Sequence, residues 1–414
     1  MKVLLTEGSG LTSRQTASRL HSLGHTVGVL SADPLALTRF TRAVRSWHRV
    51  PAFGPDPFAW LDAAIDVVRR HRYDLLFPTQ EQVAVLSWAA GTTGLAGVTT
   101  IVPPFESLRA VQDKIAAQAT LERLGIPQPP STVVRDLDEL RRWDRFPVFV
   151  KTPIGTATSG VRRVDDPAGL AALARDWATT DDLGSNGEGV LAQTPAEGPL
   201  AMLQAVFDRG RLVAFHANLR TREGARGGAS HKRSAVQPQA RTAVETLGHE
   251  LSWHGALSAD AILTVDGPVV IDVNPRLVEP GNAWRSGVDL VGAMIDAALG
   301  RKPAVQPAGR PDVETHQLLL AILGAAQHDR GRRGIACELL AAARHSGDYA
   351  DSTEELTPIA HDWRAALPGV AAAAATLVRP ATWAWFSSGS VANYAVSPQG
   401  WRTICSRARH QHAV

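Results

Sequence analysis

A pair of aspartates on a predicted β-hairpin constrains the fold of this 414-residue chain more than any other feature. Residues 264–268 read TVDGP and separate two apolar, strand-like runs. Asp-Gly between such runs is typical of a hairpin, and proline cannot donate a ladder hydrogen bond, so the pattern favours a five-residue loop. The resulting register sets Leu263 opposite Val269, and therefore places Asp260 directly opposite Asp272.

Two carboxylates that face each other across a strand pair repel, and something must offset that repulsion. Asn274 lies two residues beyond Asp272 and shares its face of the strand. Two carboxylates and an amide are oxygen ligands of the kind that Mg²⁺ prefers, and Arg276 follows on the same face, where it could meet a phosphate oxygen. A solvated polar hairpin face is the alternative, but it explains poorly why acids stand between strongly apolar runs.

Residues 1–105 alternate between strand-like and helix-like segments. This βαβ rhythm predicts a small parallel sheet with flanking helices. The predicted strands cover residues 3–6, 26–30 and 75–77, and the predicted helices cover residues 13–23 and 58–70.

The first predicted turn begins like a dinucleotide-binding fingerprint. It reads GSGLTS from Gly8, with Ser13 where the third glycine belongs, and Asp33 could mimic the ribose-binding acid. A partial match of this kind is a weak signal. We therefore favour a structural or substrate-facing turn over an NAD site.

A second candidate site begins at Lys151, which ends an apolar strand. The loop that follows, residues 155–160, has glycine at both ends and mostly small hydroxyl residues between them. Such a loop lets backbone N–H groups approach phosphates closely, although the order of residues is not that of a Walker A motif. The pattern indicates a hairpin flap that could close over a nucleotide, and an ordinary surface loop is the alternative.

Two further features are ambiguous on their own. Lys114 lies within a predicted helix at residues 106–125, and could reach a phosphate or point into solvent. Gln193 and Thr194 end an apolar strand just before a proline, where backbone groups could pair with an adenine ring or simply close the strand.

The remainder of the chain divides by composition. Residues 131–195 are typical of a small α+β unit, and residues 200–300 of long strands with helices. A proline-rich stretch at 302–310 precedes Ala- and Leu-rich helical segments, and the apolar run 366–378 is interrupted by Arg379-Pro380 before it could span a bilayer. We expect the aromatic residues near the C-terminus to be core rather than a ligand site: Trp383, Trp385, Phe386 and Tyr394.

Composition excludes several classes of function. The net charge of +3 is too small and too dispersed to indicate nucleic-acid binding, and two cysteines cannot form a disulfide framework or a four-ligand zinc site. The N-terminus lacks the features of a signal peptide. These observations predict a cytoplasmic protein without a membrane anchor, and they leave a homodimer open.

Taken in their order along the chain, these features resemble the ATP-grasp superfamily of carboxylate–amine ligases and biotin-carboxylase-like enzymes. The resemblance covers residues 1–300 and rests on Gln112-Asp113-Lys114, on Lys151 with its glycine loop, and on residues 271–276, IDVNPR, which are similar to the family's Glu-x-Asn-Pro-Arg stretch. It implies an α/β and α+β multidomain fold. The implied parts are a parallel-sheet preATP-grasp domain at 1–105, a two-part ATP-grasp domain at 106–300 with a lid subdomain at 128–192, and a mostly helical C-terminal region of unknown role at 301–414.

The resemblance also implies residue roles. ATP phosphates would contact Lys114 and Lys151, the triphosphate would be covered by Gly155, Thr156, Ser159 and Gly160, and the adenine hinge would be Gln193 and Thr194. Two Mg²⁺ ions, or Mn²⁺, would be held by Asp260, Asp272 and Asn274, and Arg276 would steady the transferring phosphoryl group.

Three departures from the family pattern stand out. Gln193 occupies a position where many members have Glu, Asp272 replaces the commoner Glu, and residues 198–201 offer no acid for the ribose.

The leading hypothesis is a ligase that joins a small-molecule carboxylate to an amine through an acyl phosphate, giving ADP and phosphate. Residues 216–233 would line the acceptor site, where Arg220 and Lys232 would suit an anionic substrate; a mobile basic loop is the alternative. An ATP-grasp carboxylase, a small-molecule kinase and a non-catalytic nucleotide-binding scaffold remain alternative functions.

Overall fold

The computed structural model describes residues 1–156, 160–180, 189–328, 331–356, 362–388 and 391–411. Ser159, predicted to cover the triphosphate, lies outside these ranges. Within them, no helix combines the length and apolarity needed to cross a membrane.

The N-terminal part forms the predicted parallel sheet. Its four strands lie in the order β3-β2-β1-β4. They are β1 (Lys2–Leu5), β2 (Thr26–Ser31), β3 (Val44–Arg49) and β4 (Leu75–Phe77), and the associated helices are α1 (Leu11–Ser22), α2 (Pro57–His71) and α3 (Val83–Ala90). Strand β3 and helix α3 were not predicted, because neither has a clear alternation or a helical stripe. Strand β3 contains no fully buried residue, and α3 is buried on nearly every side.

The strand order creates a crevice at one edge of this sheet. Strands β2 and β3 lie on one side of β1, whereas β4 lies on the other. Ligands of open parallel sheets bind at the carboxyl ends of strands where the order reverses in this way. The segments that follow β1 and β4, residues 6–10 and 78–82, therefore line such a crevice.

The helix predicted at 106–125 is two helices, α4 (Phe105–Gln112) and α5 (Lys114–Arg123). The prediction was wrong at Asp113, which is extended and whose side chain accepts hydrogen bonds from the N–H groups of Ile115 and Ala116. An aspartate N-cap satisfies backbone donors at the start of a helix, so it begins a new helix here. The break places Lys114 at the first turn of α5.

The small α+β unit is present as predicted. Its antiparallel sheet has the order β5-β8-β6-β7. The strands are β5 (Ser131–Val134), β6 (Val148–Lys151), β7 (Val161–Val164) and β8 (Val190–Gln193), with helices α6 (Leu137–Arg141) and α7 (Pro167–Thr180). Apolar residues of these strands and of both helices form a core of their own.

A seven-stranded sheet is the centre of the molecule, with the order β13-β12-β9-β10-β11-β14-β15. Its strands are β9 (Leu200–Asp208), β10 (Arg211–Glu223), β11 (Ala229–Ser234), β12 (Gly255–Thr264), β13 (Gly267–Asn274), β14 (Glu314–His316) and β15 (Thr353–Glu354). The helices of this region are α8 (Pro238–Glu250), α9 (Gly281–Ser286) and α10 (Leu290–Ala298). One face of the sheet packs its apolar side chains against α4, α5 and α8.

The five-residue loop predicted for the β12–β13 hairpin is wrong. Thr264 pairs with Gly267, so the loop contains only two residues, and Ile262 rather than Leu263 lies opposite Val269. Pro268 is tolerated within β13 because this is an edge strand. A register shift between Asp260 and Ala261 then leaves Ile271 as an extra residue, a β-bulge that brings Asp260 opposite Asp272 as predicted.

The C-terminal region is mostly helical, as predicted, but it joins both other parts of the molecule. It contains α11 (Leu318–Gln327), α12 (Gly331–Ala343), α13 (Leu367–Val378), α14 (Trp383–Ser388) and α15 (Pro398–Gln411). Strand β14 extends the central sheet by pairing with β11. Trp401 and Ile404 of α15 are buried in the core of the N-terminal sheet, so α15 packs against the N-terminal part.

Candidate functional site

Polar side chains gather on the face of the central sheet that α8 does not cover. Asp260 faces Asp272 across β12 and β13, and Asn274 faces Ser258 two residues further along the same ladder. Residues paired directly in a ladder share a face, so these three oxygen-bearing side chains point to one side of the sheet. The predicted ligand set is therefore brought together by the hairpin itself.

The neighbouring Asp272 affects the ionisation of Asp260. Burial, and next the charge of Asp272, raise the pKa of Asp260 to about 7, although Arg276, Lys151 and Arg220 act in the opposite direction. The described part of the chain contains no group of three or more His, Cys, Asp or Glu side chains suited to a metal ion. Two carboxylates and one amide oxygen nevertheless fit a hard cation that completes its shell with water or phosphate oxygens.

The raised pKa predicts how Mg²⁺ affinity depends on pH. A proton and a cation compete for Asp260, so Mg²⁺ should bind more tightly as pH rises from about 6 to about 8, and binding at pH 7 should release protons. In the absence of metal, folding stability depends on pH in the opposite direction to Mg²⁺ affinity. The folded state holds the Asp260 proton more tightly than the unfolded state, and this contribution to stability is lost as pH rises through 7.

Thermal unfolding with and without Mg²⁺ across this pH range tests that prediction. We expect the Mg²⁺-induced rise in Tm to be larger at the alkaline end, and Asp260→Asn to remove the pH dependence. A Mg²⁺-induced rise that is equal at all pH values would contradict the assignment of Asp260.

Lys151 approaches Asp260 and Asp272, the predicted metal pair, from the small α+β unit. Its ammonium donates to Gln193 Oε1 and to the carbonyl oxygen of Ile271, both at 2.7 Å. Ile271 is the bulge residue, and its carbonyl is turned out of the regular ladder. Burial lowers the pKa of Lys151, an effect that Asp272 partly offsets. The bulge thus ties the lysine of one sheet to the acids of another.

Lys114 and Arg276 hold the glycine loop from two sides. Lys114 Nζ donates to the carbonyl oxygen of Gly155 at 2.6 Å, and Arg276 Nη2 lies 3.0 Å from Thr156 Oγ1. The same Nη2 is 3.5 Å from Asn274 Oδ1. Lys114, Arg276 and the glycine loop therefore meet beside Asp260 and Asp272. Neither the helical spacing nor the hairpin pattern of the sequence could predict this contact.

Gly160 closes this loop in a conformation that other residues rarely adopt. Its φ is +75°, and a Cβ added there would lie 2.0 Å from Thr152 Oγ1. Gly160→Ala is expected to strain the loop and weaken nucleotide binding by roughly 1–3 kcal/mol. Isothermal titration with Mg²⁺-ATP measures this change. Gly169→Ala, where an added Cβ would make only ordinary contacts, is the matched control in the same unit, and equal affinity of the two variants would contradict the prediction.

A small cavity lies next to Lys151, between the sheet of the α+β unit and strand β13 of the central sheet. Its apolar walls come from Leu121, Leu191 and Val273, and Lys151 and Asp272 lie on its border. Apolar walls with a few polar groups at one end are typical of small-molecule sites.

Gln193 and Thr194, the predicted adenine hinge, differ from the prediction in one respect. Gln193 lines the cavity, where its amide nitrogen donates to Ser131 while its oxygen accepts from Lys151. The backbone N–H of Thr194, by contrast, already donates to the carbonyl oxygen of Pro130 at 2.9 Å. Thr194 therefore has no free N–H to offer an adenine ring, because the strand end is closed by β5.

Lys232 is the clearest correction to the predicted acceptor site. It is 1% exposed, and its ammonium contacts Glu279 Oε2 at 2.5 Å and Glu355 Oε2 at 2.8 Å. Burial alone would lower the pKa of Lys232, but the two carboxylates raise it above its ordinary value. A lysine neutralised twice is not available to bind an anionic substrate.

Arg220 remains partly exposed beside the metal pair. Its guanidinium donates to the carbonyl oxygen of Gly227 at 2.7 Å and acts electrostatically on Asp260. His216 is instead buried, hydrogen-bonded to Asn282, and burial lowers its pKa to about 4. Of the predicted acceptor residues Arg220 and Lys232, Arg220 alone keeps a position from which it could meet a substrate.

Sequence reasoning missed several acids around the site. Glu279 follows Arg276 by three residues and adopts a left-handed backbone with φ of 37°. Glu7 and Glu81 follow β1 and β4 and are buried at the crevice of the N-terminal sheet. Their place at strand ends was a usable signal, whereas nothing in the sequence connects Glu355 to Lys232.

Comparison with known proteins identifies the fold. No protein-family model matches the chain. Among solved structures, it is similar to the biotin carboxylase domain of 2-oxoglutarate carboxylase from Hydrogenobacter thermophilus, with a TM-score of 0.60 and 18% identity over 76% of this chain and 73% of that one. That domain was solved as a dimer with MgADP, ADP and bicarbonate.

Two further structures give the same result. Biotin carboxylase from Campylobacter jejuni has a TM-score of 0.60 at 17% identity, covering 76% of this chain and 74% of its own. N5-carboxyaminoimidazole ribonucleotide synthetase from Thermus thermophilus has a TM-score of 0.56 at 20% identity, covering 76% of this chain and 81% of its own. Both kinds of enzyme are ATP-grasp proteins, and this chain has the ATP-grasp fold.

Proposed function

We propose that this protein is an Mg²⁺-ATP-dependent ligase that joins a carboxylate to an amine through an acyl phosphate. The observation that carries the proposal is the facing pair of Asp260 and Asp272, with two lysines and an arginine converging on it from separate elements. Similar solved structures were obtained with MgADP and as a β-γ-ATP complex, which supports the choice of nucleotide.

Each residue has a role that follows from its position. Asp260, Asp272 and Asn274 would hold Mg²⁺, which neutralises phosphate charge when bound. Lys151 and Lys114 lie where they can donate to phosphate oxygens. Phosphoryl transfer depends on positioning and charge neutralisation, and these groups supply both.

The adenine ring would occupy the cavity beside Gln193. Leu121, Leu191 and Val273 line this cavity and offer apolar surface to a flat ring. Thr156 and the rest of the glycine loop would cover the triphosphate, held there by Lys114 and Arg276. Covering the phosphates excludes water, which would otherwise consume the activated acid.

The reaction proceeds in two displacements. An oxygen of the substrate carboxylate attacks the γ-phosphorus, the bond from that phosphorus to the β,γ-bridging oxygen breaks, and ADP leaves. The amine nitrogen then attacks the carbonyl carbon of the acyl phosphate, the carbon–oxygen bond breaks, phosphate leaves and the nitrogen loses a proton. Arg276, which lies beside Asn274, would stabilise the charge on the phosphoryl oxygens in both steps.

The experiment is an assay of nucleotide products. The protein is incubated with ATP, Mg²⁺ and a panel of carboxylic acids, with and without amines, and ADP, AMP and phosphate are quantified. ADP and phosphate that appear only with both an acid and an amine support the proposal. AMP as the product, or no turnover with any acid, would contradict it.

A carboxylase is the second candidate, because the similar structures include carboxylases and one of them contains bicarbonate. In that case bicarbonate would be the acid that is phosphorylated. ADP formation that requires bicarbonate and no other carboxylate would favour this function over the ligase. A homodimer like that of the similar biotin carboxylase domain is a further proposal, which light scattering tests.

A further inference from the structure

An apolar helix face in the C-terminal region is exposed to solvent. A short helical turn, Trp363–Ala366, runs directly into α13, so residues 363–378 form one continuous helical stretch. Its inner side, with Ala372 and Thr376, is buried. Apart from Arg364, the exposed residues of the stretch are all apolar and recur at helical spacing: Trp363, Leu367, Val370, Ala371, Ala374 and Val378. Residues three or four apart share one side of a helix, so these six form a single stripe, the α13 stripe.

The composition of the α13 stripe differs from that of an ordinary surface helix. Trp363, Val370 and Val378 are 55%, 62% and 74% exposed. No charged residue occurs between Arg364 and Arg379. Surface helices of globular proteins usually place charged and polar residues on the side that faces solvent. A continuous apolar face that remains exposed marks an interaction surface.

Positive charge flanks the α13 stripe at both ends. Arg364 is exposed at its beginning, and Arg379 is exposed just beyond its end. The exposed Arg332 of α12 also lies at this second end, where its guanidinium donates to the carbonyl oxygens of Leu377 and Val378 at 2.7 and 2.8 Å. The apolar surface is therefore bordered by three arginines.

Acids that could balance these arginines are scarce in this part of the molecule. Within the described residues, the helices packed most closely against α13 are α11, α12 and α14, and their one acid, Glu338, is buried and paired with Arg222. Asp362 precedes the stripe but is buried, and it accepts a hydrogen bond from Thr41. Residues 363–414 contain five of the 43 Lys and Arg residues and none of the 40 Asp and Glu residues. This stretch therefore carries a charge of +5 and the rest of the chain −2, although the net charge of the whole chain is only +3.

The charge around the stripe defines the partner that it fits. A second copy of the chain would bring the same arginines together, with no acid of residues 363–414 to offset their repulsion. Ala371 and Ala374 leave the middle of the stripe without the bulky anchor on which protein–protein interfaces centre. Apolar surface bordered by tryptophan and arginine is instead typical of helices that lie in a lipid–water interface.

We propose that the α13 stripe docks the protein on the surface of an anionic lipid bilayer, without crossing it. The apolar side chains would enter the boundary of the acyl chains, while Arg332, Arg364 and Arg379 would meet the anionic headgroups. This inference does not depend on the proposed reaction, and it gives part of the C-terminal region a role. It also corrects one expectation, because Trp385, expected in the core, is 66% exposed.

The test is co-sedimentation of the full-length protein with lipid vesicles. Vesicles of phosphatidylcholine alone are compared with vesicles of phosphatidylcholine and phosphatidylglycerol, at low and at high salt. We expect binding to the anionic vesicles, weaker binding at high salt because salt screens the arginines, and little binding to the neutral vesicles. Brominated lipids should quench the tryptophan fluorescence of the bound protein, and Trp363→Phe should reduce that quenching. No binding to anionic vesicles, or equal binding to both kinds of vesicle, would overturn the inference.

Variants then assign the contact to the stripe. Val370→Asp combined with Val378→Asp should weaken vesicle binding at least about tenfold, because it places negative charge on the apolar surface. Arg364→Gln should weaken binding about fivefold through the loss of one cation. Val265→Asp is the matched control, since Val265 is also fully exposed but lies in the turn between β12 and β13. All of these positions are exposed, so Tm should stay at the wild-type value in each variant.

Two outcomes of these measurements would contradict the inference. One is wild-type vesicle binding by the variant with both Val370→Asp and Val378→Asp. The other is a dimer, detected by light scattering, that this variant dissociates, because the stripe would then belong to a contact between two copies of the chain. Nucleotide turnover is measured separately, so failure of the proposed reaction would leave the result with vesicles unaffected.

Discussion

Asp272→Asn is expected to reduce nucleotide turnover about a thousandfold, equivalent to roughly 4 kcal/mol of transition-state stabilisation. Asp272 faces Asp260 across the hairpin, and both carboxylates are needed to balance the charge of a divalent cation and of the phosphates. An amide keeps the shape and one oxygen ligand but removes the negative charge. The rate of ADP formation at saturating ATP measures the loss.

Stability should change in the opposite direction. In wild-type protein without Mg²⁺ the two carboxylates repel each other, so Asp272→Asn should keep or raise Tm in the absence of metal. Asp266→Asn is the matched control, because Asp266 is exposed in the turn of the same hairpin. If Asp272→Asn retained activity close to that of Asp266→Asn, the metal assignment would be wrong.

Lys232→Met is expected to lower the free energy of unfolding by about 3–5 kcal/mol. Its ammonium is the cationic partner of Glu279 and of Glu355, whose side chain is 0% exposed. Gln15, Gln317 and Thr315 also donate to Glu355. Without the lysine, one fully buried carboxylate and one largely buried carboxylate would lose their cationic partner. Urea-induced unfolding measures the change.

Two further variants separate the loss of charge from the loss of packing. Lys302→Met removes an exposed lysine and should leave stability nearly unchanged. The combination of Lys232→Met with Glu279→Gln and Glu355→Gln should recover part of the loss, because no uncompensated charge is left behind. Wild-type stability in Lys232→Met together with a loss of turnover would restore Lys232 to the acceptor site.

The buried Lys232 cluster also explains how the C-terminal region is attached. Gln15 belongs to the N-terminal part, Lys232 and Glu279 to the central part, and Gln317 and Glu355 to the C-terminal region. One network of hydrogen bonds and ion pairs therefore joins all three. The C-terminal region is thus held against the rest of the molecule by this network as well as by α15.

The pairing of Asp260 with Asp272 was predictable because the two residues are close in sequence. The side chains of a strand alternate with a period of two, and a short hairpin fixes which residues face each other. The predicted loop was too long, since Pro268 lies on an edge strand where its missing N–H costs little. The bulge at Ile271 compensated for that error, and the pairing of Asp260 with Asp272 was correct although the path to it was not.

The helix break at Asp113 shows how a local signal was outweighed. The apolar spacing across residues 106–125 favours one helix, but an aspartate cap and a hydrogen bond from the Lys114 N–H to the carbonyl oxygen of Pro153 stabilise two. Pro153 belongs to the glycine-loop hairpin, which is remote in sequence. The spacing of apolar residues cannot predict such a contact, because the contact forms only when the two units pack together.

The sequence by itself determined the parallel N-terminal sheet, the α+β unit, the hairpin acids and the glycine loop, because each depends on spacing within a short stretch of chain. Only the packed molecule shows which cations lie at the candidate site. Lys114, Lys151 and Arg276 converge on it, whereas Lys232 is 47 residues from Glu279 and 123 from Glu355, and is neutralised by both. Whether a charged side chain meets a ligand or a buried counter-ion depends on contacts between distant segments, which only the packed molecule defines.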